Sequence, residues 1–326
     1  MGSEGGVAID RPILAADGGQ RRAARFDPGP VRPYPRQPMS PATDRPDLGF
    51  RWLGREEGGR ECPLTVEIPP ESPAFRGHFP GRPILPAVAQ LALVEQGLAR
   101  LADADGEAHP AIVEVSGLRL RRTVGPGERL TLGFQSMGEA GAHRFEIRAE
   151  GGTVSAGTVG TAIGDPGGEP GGTIPGSDPV ASPQEPALGR VPHAPPALLV
   201  ERLVARGDSG ARGRALIPAD SPFAVEGAAP SYLGLEIAAQ TAALVEALGR
   251  AEEAAAPRVG YLVAIRRARC YVRNLPVGEP LDVVVGFSGS APPLSIYEIR
   301  IEWEGRTMVE GTISTWIAAE AAEGQA

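Results

Sequence analysis

The sequence predicts an α+β protein built twice over, each half an antiparallel sheet wrapped around one central buried helix. Three observations carry this. Short motifs recur in the same order in two blocks of the chain. Gly127-Glu128-Arg129-Leu130, Phe145-Glu146-Ile147-Arg148 and Gly157-Thr158-Val159 are answered by Gly278-Glu279-Pro280-Leu281, Tyr297-Glu298-Ile299-Arg300 and Gly311-Thr312-Ile313. Such ordered self-similarity marks an internal duplication. Each block also holds an Ala- and Leu-rich segment free of internal proline, 86–101 and 231–248. Both are apolar around most of their circumference, as buried helices are. Finally, 64–68, 118–120, 144–148 and 296–301 alternate apolar and polar residues, the period of a half-buried strand. One buried helix with several antiparallel strands, twice, gives the architecture.

The rest of the chain falls around these blocks in order. Residues 1–48 are rich in Gly, Pro, Arg and Asp without sustained periodicity. They bury too little apolar surface to order themselves, so a disordered or loosely attached arm is expected. Block 49–163 follows. Residues 164–187, a Gly- and Pro-rich run, have the composition of a flexible linker. Block 188–318 comes next, then a short tail, 319–326.

Composition removes several function classes. The formal net charge of −8 over 326 residues argues against a nucleic-acid binder. All 32 basic residues are arginine, so Schiff-base lysines and lysine phosphate loops are excluded. Cys62 and Cys270 are too few and too scattered for a disulfide framework or a zinc knuckle. No apolar run reaches the roughly 18 residues of a membrane span. The first residues lack the basic start and apolar core of a signal peptide, so the cytoplasm is the expected location.

One stretch is far more specific. Gly77-His78-Phe79-Pro80-Gly81-Arg82-Pro83-Ile84-Leu85-Pro86 resembles the signature of the hot-dog 3-hydroxyacyl-acyl-carrier-protein dehydratases. The second block resembles the same family through Val191-Pro192-His193, Leu198-Leu199-Val200-Glu201-Arg202 and Gly234-Leu235-Glu236-Ile237-Ala238-Ala239-Gln240. More narrowly, the halves are similar to the two dehydratase-like subunits of aryl-polyene biosynthesis, here fused into an intrachain pseudo-dimer. Further association into a homo-oligomer stays open. The resemblance implies a catalytic histidine in the His-Phe-Pro-Gly turn and a carboxylate on the partner unit's central helix. It also implies an acyl carrier protein as partner, and neither cofactor nor metal.

Departures from the family pattern single out the site. Counted from Pro86 and Pro230, the carboxylate position falls on Ala92 in the first half and on Glu236 in the second. The first half keeps the histidine and lacks the acid. The second keeps the acid, but its turn near Ala228 is shortened and carries no histidine. One complete pair is therefore expected, His78 with Glu236. His193 reads as structural, His109 and His143 as surface residues, and Glu95 as a helix-edge residue. Gln240, one turn after Glu236, either orients that carboxylate or fills a core gap.

The reaction asks for these residue types. Removing water from a 3-hydroxyacyl thioester needs a base at the α-carbon and an acid at the β-hydroxyl. Imidazole, with a pKa near 6.5, suits that exchange. A carboxyl in an apolar helix has its pKa raised by desolvation, so Glu236 is expected to be protonated often enough to donate. The enolate oxygen needs donors, and the substrate or oxyanion candidates are Gly81, Ala87, Val88, Ser231, Tyr232 and Gln240. Arg119, Arg121 and Arg122 form one arginine cluster, and Arg266, Arg267, Arg269 and Arg273 another. On strands, alternate members share a face and would attract an acidic carrier protein. Three readings stay open: the composite dehydratase, a hot-dog thioesterase, and a non-catalytic acyl-carrier-binding subunit.

Overall fold

The computed structural model describes residues 45–55, 63–105, 109–138, 141–164, 166–168, 170–171, 174, 181–207, 209–252, 260–291 and 293–317. The arm through residue 44, Cys62, much of the expected linker and the tail 319–326 lie outside the described residues. Strands β1 (Arg51–Arg55) and β2 (Leu64–Glu67) lead to helix α1 (Ala87–Asp105). Then come β3 (Ala111–Leu120), β4 (Arg129–Ser136), β5 (Ala142–Ala149) and β6 (Gly152–Ala162). After β7 (Ala181–Pro186) the pattern repeats, with β8 (Val200–Gly207), β9 (Gly210–Leu216), a short β10 (Ala228–Pro230) and helix α2 (Leu233–Glu252). It closes with β11 (Gly260–Cys270), a short β12 (Asn274–Pro276), β13 (Pro280–Ala291), β14 (Leu294–Trp303) and β15 (Arg306–Ile317).

Thirteen of these strands form one antiparallel sheet, in the order β1-β2-β4-β5-β6-β3-β11-β15-β14-β13-β9-β8-β7. Strands β10 and β12 pair separately. Read outward from the centre, the two halves match: β3 with β11, β6 with β15, β5 with β14, β4 with β13. The seam is the pairing of β3 with β11, where Leu118 faces Ile265, both buried. No helix among the described residues is long and apolar enough to cross a membrane.

Both helices pack against this sheet. Leu91, Ala92, Leu93 and Val94 of α1, and Leu235, Ile237, Ala238 and Leu244 of α2, are at most 1% exposed. They belong to one continuous core. Burying each large apolar side chain contributes about 1.5–3 kcal/mol. The helices are apolar around most of their circumference because each packs against the sheet and against the other helix.

Two expectations are corrected at the edges. The arm, expected to be loose through residue 48, is packed from Pro46 onward. Leu48 is fully buried and its carbonyl accepts from Ser72 Oγ at 2.6 Å, while Gln96 Nε2 donates to Pro46 O at 3.1 Å. The expected flexible linker ends in β7, which pairs with β8. Its prolines are tolerated because β7 is an edge strand, with one side unpaired. Strand β9, Gly-Ala-Arg-Gly-Arg-Ala-Leu, carries too little apolar signal to be read from sequence. Ala211, Gly213 and Ala215 face inward, and their small size lets Thr241 of α2 approach closely.

The loop ahead of α1 is pinned across the chain. Ala194 N donates to Gly77 O at 3.0 Å. A Cβ on Gly77 would lie 2.1 Å from the carbonyl oxygen of Ala194, and Gly77 has φ +79°. Only glycine meets both demands. Gly81 has a similar φ, +76°, but open space around it. Gly77→Ala should therefore destabilise the protein by more than Gly81→Ala, whose backbone strain alone costs about 1–3 kcal/mol. Denaturant unfolding of both variants checks this. Equal losses would mean that the cross-chain contact adds nothing.

Candidate active site

His78 stands on a loop whose backbone bonds leave its ring little choice. Its N–H donates to Phe75 O at 3.1 Å, and Ile84 N donates to His78 O at 2.9 Å. Between them Phe79-Pro80-Gly81-Arg82 closes on itself, with Arg82 N on Phe79 O at 3.1 Å. Proline second and a positive-φ glycine third is the pattern of a type II turn. The ring stacks on Phe79 at 4.2 Å between centroids. His78 Nδ1 lies 2.8 Å from Ile84 O. A carbonyl only accepts, so Nδ1 carries the hydrogen and, in the neutral ring, Nε2 keeps its lone pair. Burial lowers the pKa below 6.5; Glu236 opposes this and His193 reinforces it.

That lone pair faces the other half. His78 Nε2 is 4.0 Å from Glu236 Oε1, and the two side chains are 10% and 8% exposed. Glu236 sits in the first turn of α2, where the helix dipole favours negative charge. Gln240, one turn on, donates from Nε2 to Glu236 Oε1 at 3.0 Å. The same amide also donates to Ala197 O at 2.8 Å, and its oxygen accepts from Leu199 N at 2.9 Å. Gln240 is fully buried and both hydrogens of its amide are taken, by Glu236 and Ala197, so it has none left for an enolate oxygen.

His193 was expected to be structural, and the structure places it in the site. Its Nε2 is 3.1 Å from Glu236 Oε1, and its ring lies edge-on to Phe79 and His78 at 4.8 and 5.1 Å. The expectation of a protonated Glu236 also fails. Burial alone would raise its pKa, but the hydrogen bond from His193, the electrostatic pull of His78 and His193, and Gln240 together bring it down to about 2. A carboxylate occupies the site. Three groups outweigh one desolvation, and of these only Gln240 lies on the same helix; the two histidines come from distant parts of the sequence.

The other candidates separate. The amides of Ala87 and Val88 precede the first helical bonds of α1, Ala89 N and Gln90 N both reaching back to Pro86 O. Val88 lines a small pocket with His78, Glu236, Leu199, Phe223 and Leu233. Gly81 is at the exposed tip of its turn, away from that pocket. Ser231 is fully buried, with its N–H committed to Arg273 O at 2.9 Å. Tyr232 turns to the first half, its hydroxyl donating to Glu95 Oε2 at 3.2 Å. Glu95 is no helix-edge residue: it is 6% exposed and its Oε1 accepts from Ile112 N at 2.9 Å. His109, partly buried, reaches Asp103, and His143 is partly buried too.

The two arginine clusters are unequal. Arg122 grips Glu128 at 2.5 and 3.3 Å. Arg267 pairs with Glu114 at 3.3 Å, and Arg269 lies over the Tyr271 ring at 5.3 Å. Their charges are spent locally. Arg119 and Arg121 share an outer groove with Arg144, and no ion pair holds any of the three among the described residues.

His78, His193 and Glu236 are also the one group among the described residues whose donor atoms are spaced for a metal, all within 4.8 Å. As placed they fit one poorly. Two zinc bonds of about 2.0–2.1 Å barely span the 4.0 Å between His78 and Glu236, putting an ion on the line between them rather than at a tetrahedral angle. His193 Nδ1 has no partner, whereas metal-bound imidazoles donate their other nitrogen. The array is a hydrogen-bonded one.

Known proteins match both halves. The family model of the ApeI dehydratase matches residues 55–158, and that of the ApeP dehydratase residues 186–324. A FabZ 3-hydroxyacyl-[acyl-carrier-protein] dehydratase of Myxococcus xanthus is 37% identical over 89 residues, 26% of this chain and 58% of that protein. The FabZ of Variovorax paradoxus is 33% identical over 106 residues, 30% of this chain and 70% of that protein. Among solved structures, the dehydratase domain of PpsC from Mycobacterium tuberculosis has a TM-score of 0.56 at 17% identity, covering 82% of this chain and 97% of its own. A putative thioesterase from Novosphingobium aromaticivorans scores 0.53 at 15%, covering 79% and 96%. These two likenesses concern the fold alone, a tandem hot-dog in one chain. With its FabZ relatives and its two family matches, the chain belongs to the hot-dog 3-hydroxyacyl-acyl-carrier-protein dehydratases, an ApeI-like half joined to an ApeP-like half.

Proposed function

We propose that the chain dehydrates a 3-hydroxyacyl thioester held on acyl carrier protein, in fatty-acid- or aryl-polyene-type elongation, at one site shared by its halves. The observation that carries this is the approach of His78 Nε2 to Glu236 Oε1, 4.0 Å apart and drawn from different halves. A gap of that size admits one small group between base and carboxylate. His78, neutral and with its lone pair on Nε2, takes the α-proton. The electrons of that C–H bond move to the thioester oxygen as an enolate, for which we assign the amides of Ala87 and Val88, which come before the first bonds of α1, as donors. Glu236, ionised, cannot donate; it accepts a hydrogen bond from the β-hydroxyl and fixes its orientation. When the enolate collapses and the C–O bond breaks, His78 returns its proton to the departing oxygen. One enoyl thioester and one water result, with no net proton exchanged.

Purified chain incubated with a 3-hydroxyacyl carrier protein should yield the enoyl species, read by mass as loss of one water. Release of free acid would instead indicate thioester hydrolysis, and unchanged carrier-bound substrate a non-catalytic subunit. His78→Ala and Glu236→Gln should each lower the rate by about 10²–10⁴.

The pH profile tests the assignment of the base. As pH falls through the lowered pKa of His78, the imidazole takes a proton and can no longer accept one, while Glu236 stays ionised down to about 2. kcat/KM should show its acid limb below pH 6.5. A limb above 6.5 would remove His78 from the role of base.

Carrier docking is assigned to the open arginines of the first half. Arg119→Ala with Arg121→Ala should raise KM for the carrier-bound substrate at low salt, an effect that shrinks as salt screens the charges beyond about 8–10 Å. An unaltered KM at low salt would make that groove ordinary surface.

A further inference from the structure

His193 is the nearest ionisable side chain to Glu236, closer by 0.9 Å than His78, and the reaction as proposed makes no use of it. Its ring is 7% exposed and Glu236's side chain 8%. A carboxylate taken so far from water must find compensating donors or give up its charge. The groups facing Glu236 are few: Gln240 from its own helix, His78 from the first-half turn, and His193 from the loop before β8. Arg76 lines the same pocket, but its guanidinium turns outward to Asp220 O at 2.6 Å. His78 is too distant for a direct hydrogen bond, and Gln240 is neutral.

We propose that His193 is a positioning residue: its Nε2–H binds Glu236 Oε1, keeping the carboxylate ionised and turned so that its remaining lone pairs face the β-hydroxyl. The inference deepens the dehydration reading and rests on it for the meaning of the hydroxyl. Geometry supports a donor rather than a base. A carboxylate oxygen only accepts, so the hydrogen is on Nε2, and Nδ1 has no partner toward which a proton could pass. The histidine is also rigidly held. Phe79 lies edge-on to its ring, and Ala194, the next residue, is bonded to Gly77. The lowered pKa of Glu236 agrees, the His193 hydrogen bond being the largest contribution that favours the charge. By this arrangement the proton delivered to the leaving hydroxyl must come from His78, since the carboxylate has none to give.

Two variants in the full chain separate positioning from packing. His193→Phe keeps the aromatic contact with Phe79 and removes the donor. His193→Gln loses the ring and keeps an N–H. The deciding readout is the infrared C=O band of protonated Glu236, followed against pH in unliganded protein and identified by its loss in Glu236→Gln, with kcat and KM beside it. With His193→Phe the band should move upward by about one pH unit or more, and kcat should fall more than KM changes. His193→Gln should leave the band nearer to wild type. If His193→Phe leaves the band in place, the ring merely packs and the proposal fails. If wild-type chain forms no enoyl product, the dehydration reading fails. The infrared titration then still decides whether His193 governs the charge of Glu236.

Discussion

The hydrogen bond from Ala194 N to Gly77 O, closed so tightly that no side chain fits at Gly77, is the constraint on which the site depends. It joins the loop of the first half that carries His78 to the loop of the second half that carries His193. Backbone meeting backbone is stiffer than contact between side chains, because neither partner has rotamers with which to drift. With that point set, Phe79 touches both imidazoles, which also meet each other edge-on, and His78 and His193 both face the first turn of α2. The sheet seam between β3 and β11 fixes the halves as bodies. The Gly77 contact brings that fixation to the distances on which chemistry depends, where an error of about 1 Å can cost 10²-fold.

Charge is the second determinant. A single glutamate in an apolar helix invites the argument that burial protonates it, and for an isolated residue the argument is sound. Here the acid receives donors from Gln240 and His193, with His78 beyond, at the N-terminal turn of a helix. Their sum reverses the sign. The consequence reaches the proposed mechanism: an ionised Glu236 can orient a hydroxyl and cannot protonate it. That proposal therefore gives both acid and base work to His78, whose tautomer is decided by the carbonyl of Ile84.

Much of this was legible in the sequence, and the limits have physical causes. The duplication was legible because sheet periodicity and turn glycines repeat locally. It extends to a pairing that the motifs did not show: Gln96 and Gln240, each ten positions after the aligned prolines, both tie their helix to the segment that leads into the half. Gln96 bonds Pro46 O and accepts from Trp52, and Gln240 bonds Ala197 O and Leu199 N. His78 was legible because a ten-residue turn signature surrounds it. His193 was not. Val191-Pro192-His193 carries family resemblance but no role for the histidine, whose approach to Glu236 arises from a fold that brings together positions 43 residues apart. The nearest usable signal was Gln240, since a buried glutamine beside an acid on one helix face implies a strand held against both. Strand β9 escaped because its inward residues are Ala, Gly and Ala, small enough to admit α2 and too small to register as apolar alternation.

The asymmetry of the halves explains why one site suffices. The glutamine clamp is present in both halves, each time tying the helix to the segment that leads into the half. The acid is kept once. Its counterpart position on α1 is Ala92, 1% exposed, among core residues that leave no carboxylate open to a pocket. The polar groups near the packed helices have been redirected to one another. Tyr232 of the second half donates to Glu95 of the first, and burial raises the pKa of both, opposed at Glu95 by the amide of Ile112. That hydrogen bond joins the halves without exposing a reactive group. Unequal halves of this kind work only in one pairing, first with second. Two separate chains would have to find that pairing against like-with-like association, whereas a covalent linker raises the local concentration of the correct partner above any competitor. Fusion and the loss of one acid are thus two sides of one arrangement: once the partner is guaranteed, each half can discard what the other supplies.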